Sequence, residues 1–233
     1  MMRLDRLLVE LNIGSRSEVK ALLKKGLVLV DGKKITKPET KVDENSVTVS
    51  YQGQEYTYSK FQYYIMNKPA GVITATEDSR EETVMDIFYR VCPDAPRGLA
   101  PVGRLDKDTT GLLLITNDGK LAHDMLSPKK HVDKTYYVTL DGELSEDNII
   151  ALERGVFIGE GEPTAPASVL YEGGNTCYIT IHEGKFHQVK RMFFAVGRQV
   201  IALKRVAFGN LRLDEEVLPL GHVNKLKRES IDS

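Results

Sequence analysis

The chain has 233 residues, of which 41% are hydrophobic and 28% are charged, a composition typical of soluble globular proteins. No uninterrupted apolar run approaches the length needed to cross a bilayer, which argues against a membrane-spanning chain. The formal net charge of −1 argues against a protein that is basic throughout, so a nucleic-acid contact would have to come from a local cluster of basic residues.

The N-terminus and the cysteines predict a cytoplasmic protein. Residues 1–6 lack the apolar core and small-residue cleavage site of a secretion signal. Cys92 and Cys177 lie far apart, without the close spacing of a metal or redox pair. The five histidines show no metal-binding spacing supported by nearby cysteines, so we predict no metal site. We also expect a monomer that does not bind membranes.

The first 41 residues hold a local excess of positive charge, with ten basic and five acidic side chains. Leu4, Leu7, Leu8 and Leu11 recur at the spacing of an amphipathic helix. Ser15 followed by Glu18 has the spacing of a capping box and predicts a second helix that ends near Gly26. Short alternating apolar runs follow, so residues 1–58 read as a small helix-helix-strand module.

The second predicted helix presents basic residues every four positions, at Arg16, Lys20 and Lys24, followed by Lys25. The stretch RLDRLLVELNIGSRSEVKALLKKGLVLVDGK resembles an S4 RNA-binding domain. This resemblance implies that these four cations contact RNA phosphates, adding a salt-dependent affinity that reads no base sequence. On charge pattern alone the alternative is a solvated helix face, which is what most charged stripes are.

We predict a hinge at residues 59–62 and a second, larger module at residues 63–233. Residues 61–66 read as a strand and residues 67–71 as a turn with Pro and Gly. The further predicted helices are residues 82–91, residues 121–126, one starting at Ser145 and one starting near His187. The further predicted strands are residues 112–115, 134–140, 156–158, 176–181 and 203–208. Because strands and helices do not alternate regularly, we predict an α+β domain with a mixed, largely antiparallel sheet.

One stretch of the second module, GRLDKDTTGLLLITNDG at residues 103–119, combines a polar loop with a buried strand. A polar loop held by a rigid strand is a common place for function. Asp106 and Asp108 would project to the same side of an extended backbone, which predicts a carboxylate site. The residues alone do not name the reaction. An aspartate that caps a turn beside Thr109 and Thr110 is the alternative interpretation.

A second polar stretch, HEGKFHQVKRMF at residues 182–193, places Lys190 and Arg191 in the first turn of a predicted helix. Cations are disfavoured there by the helix dipole unless an anion lies nearby. This mismatch between charge and helix position indicates a functional site.

The wording of the central stretch resembles the catalytic motif of the RsuA-like pseudouridine synthases, which act on ribosomal RNA. The resemblance continues through NKPAGVIT, KTYYV, HQVKRM and IALKR, and so covers nearly the whole chain. It implies that Asp106 is the catalytic residue and that Lys190 pairs with its carboxylate. Arg104 would either pair with Asp106 or, as the resemblance implies, enter the space left by an extruded base.

The same resemblance assigns supporting roles to four more residues. Tyr136 would offer a flat face and a hydroxyl to the base, and Leu203 would line the pocket. Lys68, in a turn bordering the cleft, and Arg191 would contact the RNA. From the residues alone, Tyr136 and Leu203 read as core, and Lys68 as an exposed turn lysine.

The implied reaction needs no cofactor, because nothing is oxidised and no group is carried away. The bond between N1 and C1′ breaks, the uracil turns over, and it rejoins the ribose through C5. The carboxylate either attacks C1′ or removes a ribose proton, and the sequence does not choose between these routes. The wording HQVKRM favours small-subunit 16S rRNA as the substrate over large-subunit 23S rRNA.

Two other classes of protein remain as alternatives. One is a metal-dependent phosphodiester hydrolase in which Asp106, Asp108 and Asp118 bind magnesium. The other is a noncatalytic assembly factor that only binds ribosomal RNA.

Overall fold

The computed structural model describes residues 1–159 and 161–232 and separates into two compact units. The first comprises Met1–Phe61 together with Asp94–Gly98, and the second comprises the remainder of the described chain. The boundary between Phe61 and Gln62 lies within the predicted hinge. The inclusion of Asp94–Gly98 in the first unit was not predicted. There the Asn12 side-chain amide donates a hydrogen bond of 2.9 Å to the Asp94 carbonyl.

The first unit combines two short helices with two small sheets. Its elements are β1 (Met2–Arg3), α1 (Leu4–Glu10), α2 (Arg16–Lys24), β2 (Val28–Val30), β3 (Lys33–Lys34), β4 (Lys41–Val42), β5 (Thr48–Tyr51) and β6 (Gln54–Thr57). β1 pairs with β4, and the four-stranded sheet has the order β3-β2-β5-β6. The predicted capping box of α2 is present, with reciprocal hydrogen bonds between Ser15 and Glu18. The leucines of α1 are fully buried against Val19 and Leu23 of α2.

The second unit is built on a nine-stranded sheet with helices packed on it. Its elements are β7 (Tyr63–Lys68), α3 (Val84–Val91), β8 (Ala100–Pro101), β9 (Thr110–Thr116), α4 (Gly119–Leu126), a 3₁₀ turn (Pro128–Lys130), β10 (Lys134–Leu140), α5 (Glu146–Arg154), β11 (Ser168–Leu170), β12 (Thr176–Ile181), α6 (Gln188–Ala195), β13 (Val200–Phe208), β14 (Leu211–Arg212), β15 (Val223–Leu226) and α7 (Glu229–Asp232). The main strand order is β11-β12-β10-β13-β9-β7-β15. β14 pairs with β13, and β8 pairs with β9.

The predicted α+β class is confirmed, and the described strands of this sheet pair antiparallel except at one junction. β9 and β13 run parallel there, with Thr110 opposite Lys204 and Gly111 opposite Arg205. Gly111 has φ +103°, and a Cβ at this position would lie 2.3 Å from the carbonyl oxygen of Arg205. Glycine is therefore required where the two central strands meet.

Two predicted elements differ from the structure. Asn67 and Lys68 were assigned to a turn but form the buried end of β7, and the chain turns only after them. Residues 156–158 were predicted as a strand, yet they make only an isolated bridge from Phe157 to Pro163. The Ile158 amide bonds to the Glu162 carbonyl instead, at 2.8 Å. Local turn hydrogen bonds thus take the place of pairing with the sheet.

Among the described residues, clusters of buried hydrophobic side chains pack on the sheet of the second unit. Four leucine and isoleucine positions of β9, residues 112–115, are fully buried, as the apolar run predicted. None of the described helices is long and apolar enough to cross a membrane.

Replacement of Gly111 by alanine should lower the free energy of unfolding by at least about 2 kcal/mol. The change combines an unfavourable positive φ with a methyl group forced against the Arg205 backbone. Urea unfolding measures this decrease. Gly119→Ala is the matched control, because nothing lies within 4 Å of a Cβ at that position. Equal unfolding free energies for the two variants would contradict the role assigned to Gly111.

Candidate active site

The loop before β9 exposes and buries its residues alternately. Leu105 is buried in the same hydrophobic cluster as Tyr136 and Leu203. Its neighbours Arg104 and Asp106 are exposed and partly exposed, respectively, and both line a cleft of about 730 Å³. Leu105 therefore anchors the loop in the core while the flanking polar side chains face the cleft. A cleft of this size is within the range of small-molecule sites.

Lys68 binds the backbone of this loop. Its Nζ donates to the carbonyls of Thr109 at 2.9 Å, Pro69 at 3.0 Å and Asp106 at 3.1 Å, and Lys107 O lies at 3.4 Å. The residue is fully buried, so the interpretation of Lys68 as an exposed turn lysine is wrong, and the predicted RNA contact finds no exposed surface on it. Burial lowers the pKa of Lys68 to about 8, although Asp108 and Asp106 oppose the shift.

The segment after β7 gives the loop further support. The Thr74 hydroxyl donates to the Leu105 carbonyl at 2.7 Å and accepts from the Leu105 amide at 3.2 Å. The Gly71 amide donates to the Lys107 carbonyl at 2.8 Å. Within the loop, the Thr109 amide donates to the Asp106 carbonyl at 3.1 Å. The backbone around Asp106 is thus fixed from three sides, which limits the positions its carboxylate can take.

Both loop carboxylates meet one lysine from α6. Lys190 Nζ lies 3.0 Å from Asp106 Oδ2 and 2.6 Å from Asp108 Oδ1. Burial alone would lower the pKa of Lys190, but its hydrogen bonds to Asp108 and Asp106 outweigh burial and raise it. The same hydrogen bond from Lys190 lowers the pKa of Asp108. Asp108 therefore belongs to the same charged group as Asp106 and Lys190.

This ion pair accounts for a cation in the first turn of α6. A positive charge there is opposed by the helix dipole, and two carboxylates supply the anion that offsets it. The side chains of Asp106 and Lys190 are each about one quarter exposed, at 28% and 25%. Asp106 is therefore partly shielded from water yet open to a molecule entering the cleft, whereas Asp108 is 74% exposed.

His187 is a neighbour of Asp106 that the sequence analysis did not single out. Its Nε2 lies 3.5 Å from Asp106 Oδ1. The residue is the N-cap of α6, directly before Gln188. It has φ +47°, a left-handed conformation that is uncommon for a residue with a side chain. Its position two residues before Val189, in a stretch already marked as polar, was the available signal.

Tyr136, Leu203 and Arg205 line the opposite part of the cleft from neighbouring strands. Tyr136 of β10 is paired with Arg205 of β13, and Leu203 is paired with Val138. Tyr136 and Leu203 are mostly buried, so the structure combines the core and the pocket-lining interpretations of both residues. Arg205 was missed by the sequence analysis. Its Nε donates to the Leu112 carbonyl at 2.8 Å, which joins β13 to β9.

The two remaining arginines of the predicted site, Arg104 and Arg191, have different surroundings. The Arg104 side chain is exposed at the cleft and forms no ion pair with another described residue. Arg191 donates instead to the carbonyls of Ile158 and Phe186 and to the Glu162 carboxylate, at 2.7 to 3.1 Å. The guanidinium of Arg191 thus helps to hold a loop, and its contact with RNA stays a prediction.

The magnesium interpretation lacks its third ligand at this site. Asp118 caps α4 by accepting from the Leu121 amide at 3.0 Å, and it also accepts from the Tyr63 hydroxyl at 2.9 Å. Asp106 and Asp108 are joined by Lys190 instead. The part of the chain that the structure describes holds no group of three or more potential metal-ligating side chains.

In the first unit, the predicted RNA-binding residues lie together on α2 and just after it. Arg16, Lys20, Lys24 and Lys25 are all exposed. Within residues 1–159 and 161–232, none of these four forms an ion pair. The four side chains are therefore available to phosphates, and their contact with RNA stays a prediction.

Comparison with known protein families agrees with the geometry of the second unit. The model of the RNA pseudouridylate synthase family matches residues 62–195, which contain Asp106, Tyr136 and Lys190. The chain belongs to this family. The S4 domain model matches residues 2–47, in agreement with the resemblance of the first module. This RNA pseudouridine synthase therefore carries an N-terminal S4 domain.

Similar proteins match this synthase over almost its full length. An RNA pseudouridine synthase of Bacillus subtilis, YtzG, described as uncharacterized, is 48% identical over 99% of this chain and 97% of its own. The ribosomal small subunit pseudouridine synthase A of Vibrio cholerae is 40% identical, covering 100% and 99%. The ribosomal large subunit pseudouridine synthase B of Bacillus subtilis is 39% identical, covering 91% and 88%. A crystal structure of a pseudouridylate synthase superposes with a TM-score of 0.67 at 33% identity, covering 100% and 99% of the two chains.

The buried Lys68 gives the synthase a defined dependence of stability on pH. Its pKa is about 8 in the folded protein against 10.5 ordinarily, so between these values the unfolded chain binds more protons. The free energy of unfolding contributed by Lys68 must then rise with pH, by up to about 1.4 kcal/mol per pH unit. Urea unfolding of wild type and Lys68→Met between pH 7 and 10 should show a difference that grows above pH 8. A difference that is constant over this range, as expected for Lys120→Met at an exposed position, would contradict the assignment.

The exposed cations of α2 should contribute to RNA affinity in a salt-dependent way. Replacing Lys20 and Lys24 by glutamine should make the plot of log affinity against log salt shallower by roughly 0.7 to 0.9 for each phosphate that the protein no longer neutralises. Binding of one folded RNA, titrated at several salt concentrations, measures the slope. Lys120→Gln, an exposed lysine on α4, is the matched control. An unchanged slope in the double variant would assign these lysines to a solvated face.

Proposed function

We propose that this synthase isomerises a uridine of 16S ribosomal RNA to pseudouridine, with Asp106 as the catalytic residue. The observation that carries the proposal is the position of Asp106. Its carboxylate lines the cleft, and one of its oxygens lies 3.0 Å from the ammonium of Lys190. The chemistry requires an oxygen acid that reaches the ribose of a bound uridine and is held in one orientation.

Asp106 acts on the sugar in one of two ways. Its carboxylate attacks C1′ and displaces the uracil, or it removes a ribose proton to give a glycal-like intermediate. In both routes the uracil stays in the cleft, turns over and bonds to C1′ through C5. The carboxylate then leaves C1′ in the first route, or the proton returns to the ribose in the second. The proton on C5 is lost and N1 gains one, so the overall reaction is an isomerisation. Both routes require an ionised carboxylate, and the ammonium of Lys190 lies 3.0 Å from that carboxylate as its partner. Lys190 is thus a positioning residue that also avoids an unpaired charge beside the base.

The walls of the cleft suit a flat, polar base. Tyr136 offers an aromatic face and a hydroxyl, and Leu203 offers an apolar surface beside it. Arg104, exposed next to Asp106, is suited to enter the space that the extruded uridine leaves in its helix. Extruding a uridine costs a few kcal/mol and costs least in a loop or locally open RNA, so RNA structure should define the substrate. The basic face of α2 would help by binding neighbouring phosphates.

The preference for the small subunit comes from the wording HQVKRM, and the coverage of the relatives supports it. The Vibrio cholerae protein named as a small-subunit enzyme matches this chain from end to end, whereas the named large-subunit enzyme of Bacillus subtilis is matched over 88% of its length. Their identities of 40% and 39% are nearly equal. A uridine of 23S ribosomal RNA is therefore the second candidate for the same reaction.

Mapping of pseudouridines in ribosomal RNA from a strain lacking this gene tests both candidates. A single pseudouridine missing from 16S RNA, and restored by the wild-type gene, is the expected result. Loss of a site in 23S RNA would select the second candidate. Full retention of every ribosomal site would contradict the proposal for either RNA.

A gene carrying Asp106→Asn should fail to restore the missing pseudouridine in the gene-deleted strain. The variant should still bind RNA within about threefold of wild type. The amide cannot act as a nucleophile or base, and the loss should exceed the factor of 10² to 10⁴ typical of a single acid-base residue. Asp108→Asn is the matched control, because it lies in the same loop and contacts the same lysine but is three-quarters exposed. Its rate should fall by less than about tenfold. Formation of pseudouridine by purified protein under single-turnover conditions measures both, and equal losses would contradict the assignment of Asp106.

A further inference from the structure

Two aromatic rings stand at the mouth of the catalytic cleft without a role in the reaction described above. Phe186 and His187 stack with their ring centroids 3.7 Å apart and their planes 20° from parallel. Phe186 is 70% exposed, and both residues line the cleft that contains Asp106. An exposed phenylalanine of this kind leaves a flat apolar face in water.

The pair is held in place by its backbone and its neighbours. His187 has a left-handed φ of +47°, which sets its ring against Phe186 on one side and 3.5 Å from Asp106 on the other. Arg191 donates to the Phe186 carbonyl at 3.1 Å. The Lys185 amide donates to Gln188 Oε1 at 3.0 Å, and the Gln188 side-chain amide donates to Glu183 at 2.8 Å. The exposed ring therefore sits on a fixed support.

We propose that Phe186, backed by His187, is a stacking platform for a second nucleobase, the neighbour of the uridine in the catalytic cleft. This inference rests on the proposed function and adds a subsite to it. When a uridine is extruded, the adjoining base is left without a stacking partner on one side, and an aromatic face takes the place of that partner. Because His187 lies beside Asp106, the platform is continuous with the cleft that takes the uridine.

The chemistry of the platform favours an unpaired base of any identity. Every base has a flat π face, so stacking on Phe186 tolerates sequence, and the ring offers no hydrogen-bonding group that would read a base edge. The platform would thus select RNA by local structure, requiring an unpaired neighbour of the target uridine.

Removal of the ring tests this subsite. With an RNA fragment carrying the uridine identified in the gene-deleted strain, Phe186→Ala should raise KM by roughly 5- to 150-fold, the range expected when one base no longer stacks. Phe186→Trp should restore KM to near the wild-type value, because it keeps the flat face. Phe194→Ala is the control, since Phe194 is 78% exposed on α6, the helix that follows Phe186, but does not line the cleft.

A double-substitution cycle separates stacking from a structural effect. The same RNA is made abasic at the 5′ or the 3′ neighbour of the uridine. On one of these RNAs, Phe186→Ala should cause less than about a twofold further increase in KM, because the base that stacks on the ring is already absent. A full effect on both abasic RNAs, or failure of Phe186→Trp to recover, would overturn the platform. An inactive wild-type protein would instead refute the proposed function, so the two failures are distinguishable.

Discussion

The active site depends on one buried ammonium group. Lys68, at the end of β7, donates hydrogen bonds to the carbonyl of Pro69 and to two carbonyls of the loop that carries Asp106, those of Asp106 and Thr109. A fully buried cation is costly unless its donors are all used, so the loop carbonyls and the lysine require each other. The loop is thereby held to the central strands of the sheet, and the orientation of the Asp106 carboxylate follows from it.

A second constraint is the parallel junction between β9 and β13. Gly111 lets β9 approach β13 closely, and Arg205 reaches from β13 to the Leu112 carbonyl. This parallel junction brings Leu203, together with Tyr136 of β10, against the segment that presents Asp106. Lys190 from α6 then completes the charged group. Residues from four separated parts of the sequence thus meet at one cleft because a glycine permits two strands to touch.

The corrected residues show where sequence reasoning failed. Lys68 beside a proline and a glycine has the local pattern of an exposed turn, and nothing near it in the sequence indicates that carbonyls from residues 106 to 109 will surround it. The loop contacts of Arg191 were missed for the same reason, because its partners Ile158 and Glu162 lie about 30 residues earlier. His187 was missed because its contact with Asp106 depends on a backbone conformation that residue type does not indicate. Residues 156–158 had the composition of a strand but no neighbouring strand with which to pair.

The sequence by itself determined what depends on near neighbours. Capping residues and apolar spacing fixed the two helices of the S4 domain, and the apolar run of residues 112–115 fixed the buried strand beside the loop that carries Asp106. The motif wording singled out Asp106, Tyr136, Lys190 and Leu203. Only the tertiary structure decided which of the cations face the cleft and which are used to hold it together. Hydrogen bonds and ion pairs between residues far apart in the chain make that division, and their partners become known only when the strands are in register.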